Sequence, residues 1–280
     1  MSFDTLTIVG VGLIGGSIGL GVRQRKLARR VIGVGRNAES LEVAQLLGAI
    51  DSYSVKLEQA AKESDAIIFC TPVDKIVEQV LVAGHACKPG TIITDAGSTK
   101  ETIVKQLDGK LPEGVHFIGS HPIAGSEKKG PQAARADLFE KKLTIVTPTR
   151  RSNPEAVEKV RNLWSDLGSQ VTLMDAKKHD QILGMTSHLP HLLAAGLAGI
   201  LPDEYRSFTG TGFRDSTRIA AGDPQLWAAI FLQNRTALCQ AMVEVTQRFE
   251  EFLDAIVHQN TKKLIDLLTQ AKQVRDALGS

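Results

Sequence analysis

Little in this sequence points to a polyanion, a membrane or an oxidising compartment. Lysine and arginine (33) nearly balance aspartate and glutamate (31), for a formal net charge of +2. That is too small for a long-range field that would gather nucleic acid or a membrane surface, so any basic site must be local. Cysteine is scarce. Cys70, Cys87 and Cys239 are odd in number, widely spaced and set among apolar neighbours, which fits reduced core thiols rather than a disulfide framework or a zinc site. Long apolar runs are missing as well. Met1-Ser2-Phe3-Asp4 carries no positive charge, and glycines break the apolar run after it, so neither a signal peptide nor a membrane span is expected and the chain is expected to stay in the cytoplasm. There is no internal repeat and no low-complexity tract. The last helical pattern runs nearly to Ser280, which is read as leaving no room for an appended regulatory domain.

What is present is ordinary globular composition, 42% hydrophobic and 23% charged over 280 residues, enough for two modest domains. From Thr5 to about Thr172, short β-rich runs alternate with helical patterns, the mark of βαβ units and a parallel sheet. Strands are expected at 5–9, 30–34, 66–70, 91–94, 115–118, 143–146 and 170–173, punctuated by turn residues such as Lys88-Pro89-Gly90. After Asp175 strand signals stop and apolar residues recur at helical spacing, as in Leu189, Leu192 and Leu193 and again in Leu264, Ile265, Leu267 and Leu268. The fold class is therefore α/β: a Rossmann-type doubly wound sheet over 1–173, then an all-helical domain over 174–280. Leu- and Ala-rich helices can bury their apolar faces on a twin, so a homodimer through the C-terminal helices is expected.

Val9-Gly10-Val11-Gly12-Leu13-Ile14-Gly15-Gly16 follows the first strand and opens a helix, the context a G-x-G-x-x-G dinucleotide fingerprint needs. Gly10 permits the tight turn, Gly12 lets backbone approach a pyrophosphate, and Gly15 lets helix and strand pack closely. The unpaired N–H groups at the helix start, Leu13 and Ile14 among them, would meet the anion. The competing reading is a plain flexible turn. The second strand ends in Gly35-Arg36, where an NAD site would place an acid on the ribose hydroxyls. With no acid and a guanidinium instead, NADP is favoured over NAD, which remains possible; a solvated loop arginine is the alternative. Thr71 and Pro72, at the end of a strand, are expected to line the cofactor crevice, while Cys70 reads as packing.

Two segments carry candidate chemistry. Ser98, in Thr94-Asp95-Ala96-Gly97-Ser98-Thr99-Lys100, sits where a strand gives way to a helix and can project toward the nicotinamide; a helix-capping serine would look the same, and the roles are compatible. His121, in Gly119-Ser120-His121-Pro122-Ile123-Ala124-Gly125-Ser126-Glu127, is expected in a loop after a strand, stiffened by Pro122 and Gly125. There it can take a proton while a hydride leaves the neighbouring carbon. A packed or surface histidine is the alternative.

These motifs, with Ser187-His188-Leu189-Pro190-His191 and Thr211-Gly212-Phe213-Arg214-Asp215-Ser216-Thr217-Arg218, occur in the order seen in prephenate/arogenate (cyclohexadienyl) dehydrogenases of tyrosine biosynthesis, which the chain resembles over nearly its whole length. The resemblance implies an oxidative decarboxylation. Hydride passes from the hydroxyl-bearing ring carbon to the nicotinamide, CO2 leaves and the ring becomes aromatic. It assigns His121 to the hydroxyl, Ser98 to orienting the histidine and nicotinamide, and Arg218 to a substrate carboxylate, which suits a planar guanidinium.

The residues of the second half are read beside this. His188 and His191, three apart on one helix with Pro190 between them, are taken as polar lining of the substrate pocket, against helix-packing histidines. No further ligand is spaced with them, and hydride transfer requires no metal. Arg214 and Arg218, four apart, would present two cations to a dianionic small molecule, against surface salt bridges with Asp215 as partner. The resemblance also implies that Ser126 and Glu127 form a polar gate over the pocket. Two other readings stand. A two-domain hydroxyacid or imine reductase would share the architecture, and its hydroxyacid members usually place a lysine on the interdomain helix, where Lys177 and Lys178 lie near the start. A non-catalytic NADP sensor would have no use for His121 and Arg218 together.

Overall fold

The computed structural model describes residues 3–125 and 128–279. The chain forms two compact units, residues 1–234 and 235–280.

The first unit is built on eight strands in the order β3-β2-β1-β4-β5-β6-β7-β8. They are β1 (Phe3–Val9), β2 (Ala28–Val34), β3 (Ser52–Ser54), β4 (Ala66–Phe69), β5 (Ile92–Asp95), β6 (His116–Pro122), β7 (Leu143–Thr147) and β8 (Gln170–Leu173). Every neighbouring pair is parallel except β6 and β7. The connecting helices are α1 (Leu13–Gln24), α2 (Ala38–Leu46), α3 (Leu57–Glu63), α4 (Val73–Ala86), α5 (Glu101–Leu107) and α6 (Pro154–Asp166). Because helices cover both faces, the central strands are apolar throughout rather than alternating: Ala66, Ile67, Ile68 and Phe69 are all buried. Ile8 and Ile68 serve one core with Ile18 and Trp164, and Val9, Ile67 and Phe69 serve the other with Ile76 and Ile93.

Two departures from the expected strands have physical causes. β3 was not foreseen: Ser52-Tyr53-Ser54 is a three-residue edge strand with no apolar alternation. β6 does not stop at Ile118 but continues to Pro122. It pairs with β5 as far as Thr94↔Ile118 and then with antiparallel β7, from Gly119↔Thr147 to Pro122↔Thr144. His121, expected in the following loop, is thus a strand residue opposite Ile145, past the end of β5.

Four further helices complete this unit: α7 (Ala176–Leu183), α8 (Leu189–Gly199), α9 (Thr211–Thr217) and α10 (Pro224–Gln233). Asp175 caps α7 by accepting the N–H groups of Lys177 and Lys178. A single π turn, Gly184–His188, joins α7 to α8, with Leu189 N–H bonded back to Gly184. This wider turn accommodates Pro190, which has no N–H to give. The unit runs past residue 173 to Asn234 because α7 packs on α5 and α10 on α4. Asn234 itself donates to the Asp180 carbonyl at 2.8 Å.

The second unit is a hairpin of α11 (Arg235–Val257) and α12 (Thr261–Ala277), the latter capped by Asn260. Phe249, Leu253, Ile256 and Val257 on α11, and Ile265, Leu268 and Val274 on α12, are exposed. Cys239 is exposed on α11, not a core thiol, while Cys70 and Cys87 are half-buried. No helix among the described residues is long and apolar enough to cross a membrane.

Candidate active site

The glycine turn after β1 separates into two jobs, packing and access. Gly10 has φ +92°, and a side chain there would press on the Cys70 carbonyl at 2.9 Å. At Gly15 a Cβ would lie 2.2 Å from the Gly10 oxygen, so only glycine lets α1 approach β1 this closely. A Cβ on Gly12, by contrast, would meet nothing within 4 Å among the described residues. The turn therefore offers bare backbone to open space. The N–H groups of Leu13, Ile14 and Gly15 precede the first α1 bond, Gly16 N–H to Gly12 O. No side chain among the described residues caps the helix and no acid stands in its first turn, which leaves its positive end for an anion. Thr71 packs beside Gly10, its Oγ1 on Gln79 at 2.6 Å, and Pro72 caps α4. The ends of β1 and β4 thus form the crevice where strand order reverses, and bare backbone and free N–H groups fit the pyrophosphate of a dinucleotide. Arg36 is exposed two residues beyond β2 and makes no ion pair among the described residues.

His121 lies at the same edge of the sheet, only 9% exposed. The loop after it reaches the first turn of α1, where a Cβ on Gly125 would touch Ile14 at 3.8 Å. Its Nδ1 is 2.8 Å from Nε2 of His179, and Nδ1 of His179 is 2.7 Å from Oδ1 of Asp180. The same carboxylate accepts the backbone N–H groups of Lys100 and Glu101. Beneath this row, the fully buried ammonium of Lys100 pairs with the fully buried Asp95, which also accepts N–H from Gly97 and from Ser120. Ser120 returns its hydroxyl to the Asp95 carbonyl at 2.5 Å and accepts the Trp164 indole N–H at 2.9 Å. The strand position next to His121 is therefore held from three sides. Burial, and then the neighbouring His179, Lys100 and His188, hold His121 well below the ordinary imidazole value. Its ring is therefore neutral at neutral pH.

The helical segment closes the row. His188 is buried with Nδ1 2.9 Å from Asn234 Nδ2, and burial brings it down to about 4. His191 stacks on Trp227 with ring centroids 3.5 Å apart, and its buried Nδ1 has no hydrogen-bond partner among the described residues. A Cβ on Gly222 would touch both rings, at 2.5 Å from Trp227 and 3.0 Å from His191. Gly222 ends the 3-10 turn Arg218–Ala221, so packing leads from His191 to the turn carrying Arg218. Arg214, on α9, and Arg218 are both exposed, and neither makes an ion pair among the described residues, with Asp215 or otherwise. Ser98 is half-buried and makes no side-chain hydrogen bond among the described residues, the His121 Nδ1 position being taken by His179. Ser126 and Glu127 lie outside the described residues.

Sequence reasoning missed His179, Asp180, Lys100, Asp95 and Asn234. One signal was readable. Ala176, His179, Asp180 and Leu183 recur at the i, i+3, i+4, i+7 spacing of a buried helix face, so a histidine and an acid stand where apolar residues belong. Cys70 is no competitor for chemistry, since burial and then Asp95 push its thiol up.

Comparison with known proteins agrees over the whole chain. Prephenate dehydrogenase from Bacillus subtilis (strain 168) is 33% identical over 98% of this chain and 76% of its own length. Cyclohexadienyl dehydrogenase from Zymomonas mobilis is 31% identical over 99% and 96%. The structure of prephenate dehydrogenase from Aquifex aeolicus in complex with hydroxyphenyl propionate and NAD+ superposes with a TM-score of 0.93 at 30% identity, covering 99% of both chains. The family model for the prephenate dehydrogenase nucleotide-binding domain matches residues 18–173, and that for the dimerization domain matches 175–270. A buried imidazole beside a dinucleotide cradle, and likeness from end to end, lead to one conclusion: the chain belongs to the prephenate dehydrogenase family.

Proposed function

We propose that this chain converts prephenate, arogenate or both to 4-hydroxyphenylpyruvate or tyrosine, with NADP as the preferred hydride acceptor. The observation that carries the reading is His121: a neutral, buried imidazole with one nitrogen committed to His179, at the sheet edge that also holds the glycine cradle. The other nitrogen, Nε2, polarises the substrate's ring hydroxyl and accepts its proton as carbonyl character develops. When CO2 leaves and the ring becomes aromatic, the proton returns to the phenolic oxygen. A bound nicotinamide supplies the hydride acceptor. Gly10, Gly12, Gly15, Thr71 and Pro72, with the N–H groups of Leu13 and Ile14, hold the dinucleotide. Ser98 faces its nicotinamide end. His188 and His191 line the substrate side, and Arg218, with Arg214, takes the carboxylates.

The preference for NADP rests on Arg36, free of any ion pair among the described residues and available to a 2′-phosphate. The Aquifex aeolicus structure holds NAD+, so the choice is this chain's own to demonstrate. The exposed apolar residues of α11 and α12 and the match to a dimerization domain support a homodimer. A small-molecule biosynthetic reaction with no span-length apolar helix among the described residues suits the cytoplasm. The test is formation of reduced nicotinamide with prephenate and with arogenate, each against NAD and NADP. Turnover of at least one acid, faster with NADP, is expected. No turnover of either acid defeats the reading, and equal or faster use of NAD defeats the cofactor preference alone.

A further inference from the structure

Asp180 fixes a chain of proton positions that ends at the base. Its two oxygens accept the backbone N–H groups of Lys100 at 2.8 Å and Glu101 at 2.9 Å, so the carboxylate acts purely as an acceptor. The ring atom facing it, Nδ1 of His179, must then be the one that carries hydrogen. Burial holds His179 below the ordinary imidazole value even with Asp180 beside it, so the ring is neutral and its Nε2 is a lone pair. His121 Nδ1, 2.8 Å from that lone pair, has to donate. A neutral imidazole with hydrogen on Nδ1 keeps its lone pair on Nε2. The order of hydrogens along Asp180, His179 and His121 is thereby set by backbone amides at the start of α5.

We propose that His179 and Asp180 are positioning residues that lock His121 in its Nδ1–H tautomer and stabilise the imidazolium formed when Nε2 takes the substrate's hydroxyl proton. This rests on the proposed function. In the step, the substrate O–H bond breaks and a bond from hydrogen to His121 Nε2 forms. The proton goes back to the phenolic oxygen at aromatisation, and nothing in the row is oxidised or reduced. While His121 is charged, its Nδ1–H bond to His179 Nε2 strengthens, and Asp180 opposes the charge through the second ring. Among the described residues, the charged or titratable groups facing His121 are His179 and His188 from the helical segment and Lys100 from the start of α5. The Lys100 ammonium opposes a proton on it, and the two histidines would do so only if charged, which burial resists. Asp180 and the Asp95 carboxylate that pairs with Lys100 are the counterweights. Lys100 joins the two levels, with its backbone N–H on Asp180 and its ammonium on Asp95, which holds the N–H of Ser120.

The tautomer is read directly from long-range 1H–15N spectra of the full-length protein labelled at its seven histidines, with His121 assigned by the signals lost in His121→Gln. Hydrogen on Nδ1 is expected; hydrogen on Nε2 overturns the proposal. In kinetics, His179→Phe keeps a ring but no acceptor. Its kcat is expected to fall about 10²-fold with KM for acid and dinucleotide within about threefold, as for loss of help to a general base. The acid limb of kcat/KM should move to lower pH, because the imidazolium has lost its acceptor. His179→Gln, whose amide can accept from His121 and donate to Asp180, should recover part of kcat. A His179→Phe enzyme within about threefold of wild-type kcat and with an unshifted limb sinks the idea. If that variant does not fold, the wild-type tautomer and His179→Gln decide. A wild type that turns over neither acid refutes the proposed function, and the tautomer is still measured.

Discussion

The dinucleotide cradle and the proposed proton site lie along one edge of one sheet, but they are made of different material. The cradle is backbone: the three fingerprint glycines and the amides they bare come from one turn, and what matters is the absence of side chains. The site around His121 is mainly side chains steadied by a few backbone groups, with His121 from β6, His179 and Asp180 from α7, Lys100 and Asp95 from the β5–α5 junction, and Asn234 from the end of α10. A backbone site is written locally and read locally. A side-chain site exists only after elements far apart in sequence have packed, and its members must first be stripped of water. That cost is what keeps His121 neutral.

The largest expected effect sharpens this contrast at its centre. His121→Asn should lower kcat by about 10²–10⁴, the usual worth of general acid–base help, with KM for dinucleotide and acid little changed. Steady-state kinetics against both substrates checks it. A loss in KM with kcat intact would mean that the imidazole binds rather than reacts, and the two regions would then differ in material but not in role.

Next comes the support beneath the base. Lys100→Met should destabilise the fold by about 3–5 kcal/mol, because it leaves the Asp95 carboxylate buried without its cation. Pairing it with Asp95→Asn should restore much of the loss, since removing both charges leaves no uncompensated one. Denaturant titration of the single and double variants measures this. If the single variant were as stable as wild type, the site around His121 would not depend on buried charge and would differ from the cradle in material but not in energetics.

The same contrast explains what could be read in advance. The parallel sheet, the fingerprint turn and the helical second half follow from period and local context, and those patterns survive in the fold. The edge strand Ser52–Ser54 carries no period at all. The extension of β6 to His121 depends on an antiparallel partner more than twenty residues later, whose direction no local pattern encodes. Lys100, Asp95 and Asp180 look like surface charges until packing pairs them, so the residues packed around His121 were the least legible.

The arginine side of the site offers a smaller test. Arg218→Ala is expected to raise KM for the acid about 10- to 100-fold, in line with about 1.5–3 kcal/mol for a charged hydrogen bond, while kcat holds. The 3-10 turn bearing Arg218 packs on α8 beside His191, so an unchanged KM would confine the substrate to the His121 end of that row.

The smallest effect returns to the cradle, where one side chain does matter. Arg36 is exposed and screened by water until a ligand covers it, so its share of binding is at the low end for a charged contact. Arg36→Ala should cut the ratio of kcat/KM for NADP over NAD about tenfold, through weaker NADP use with NAD nearly unaffected, because only NADP offers a 2′-phosphate for the fork of donors. Equal loss with both cofactors would assign Arg36 to the fold or to the pyrophosphate. The cradle would then be backbone in every respect, with cofactor choice residing elsewhere along β2 and α2.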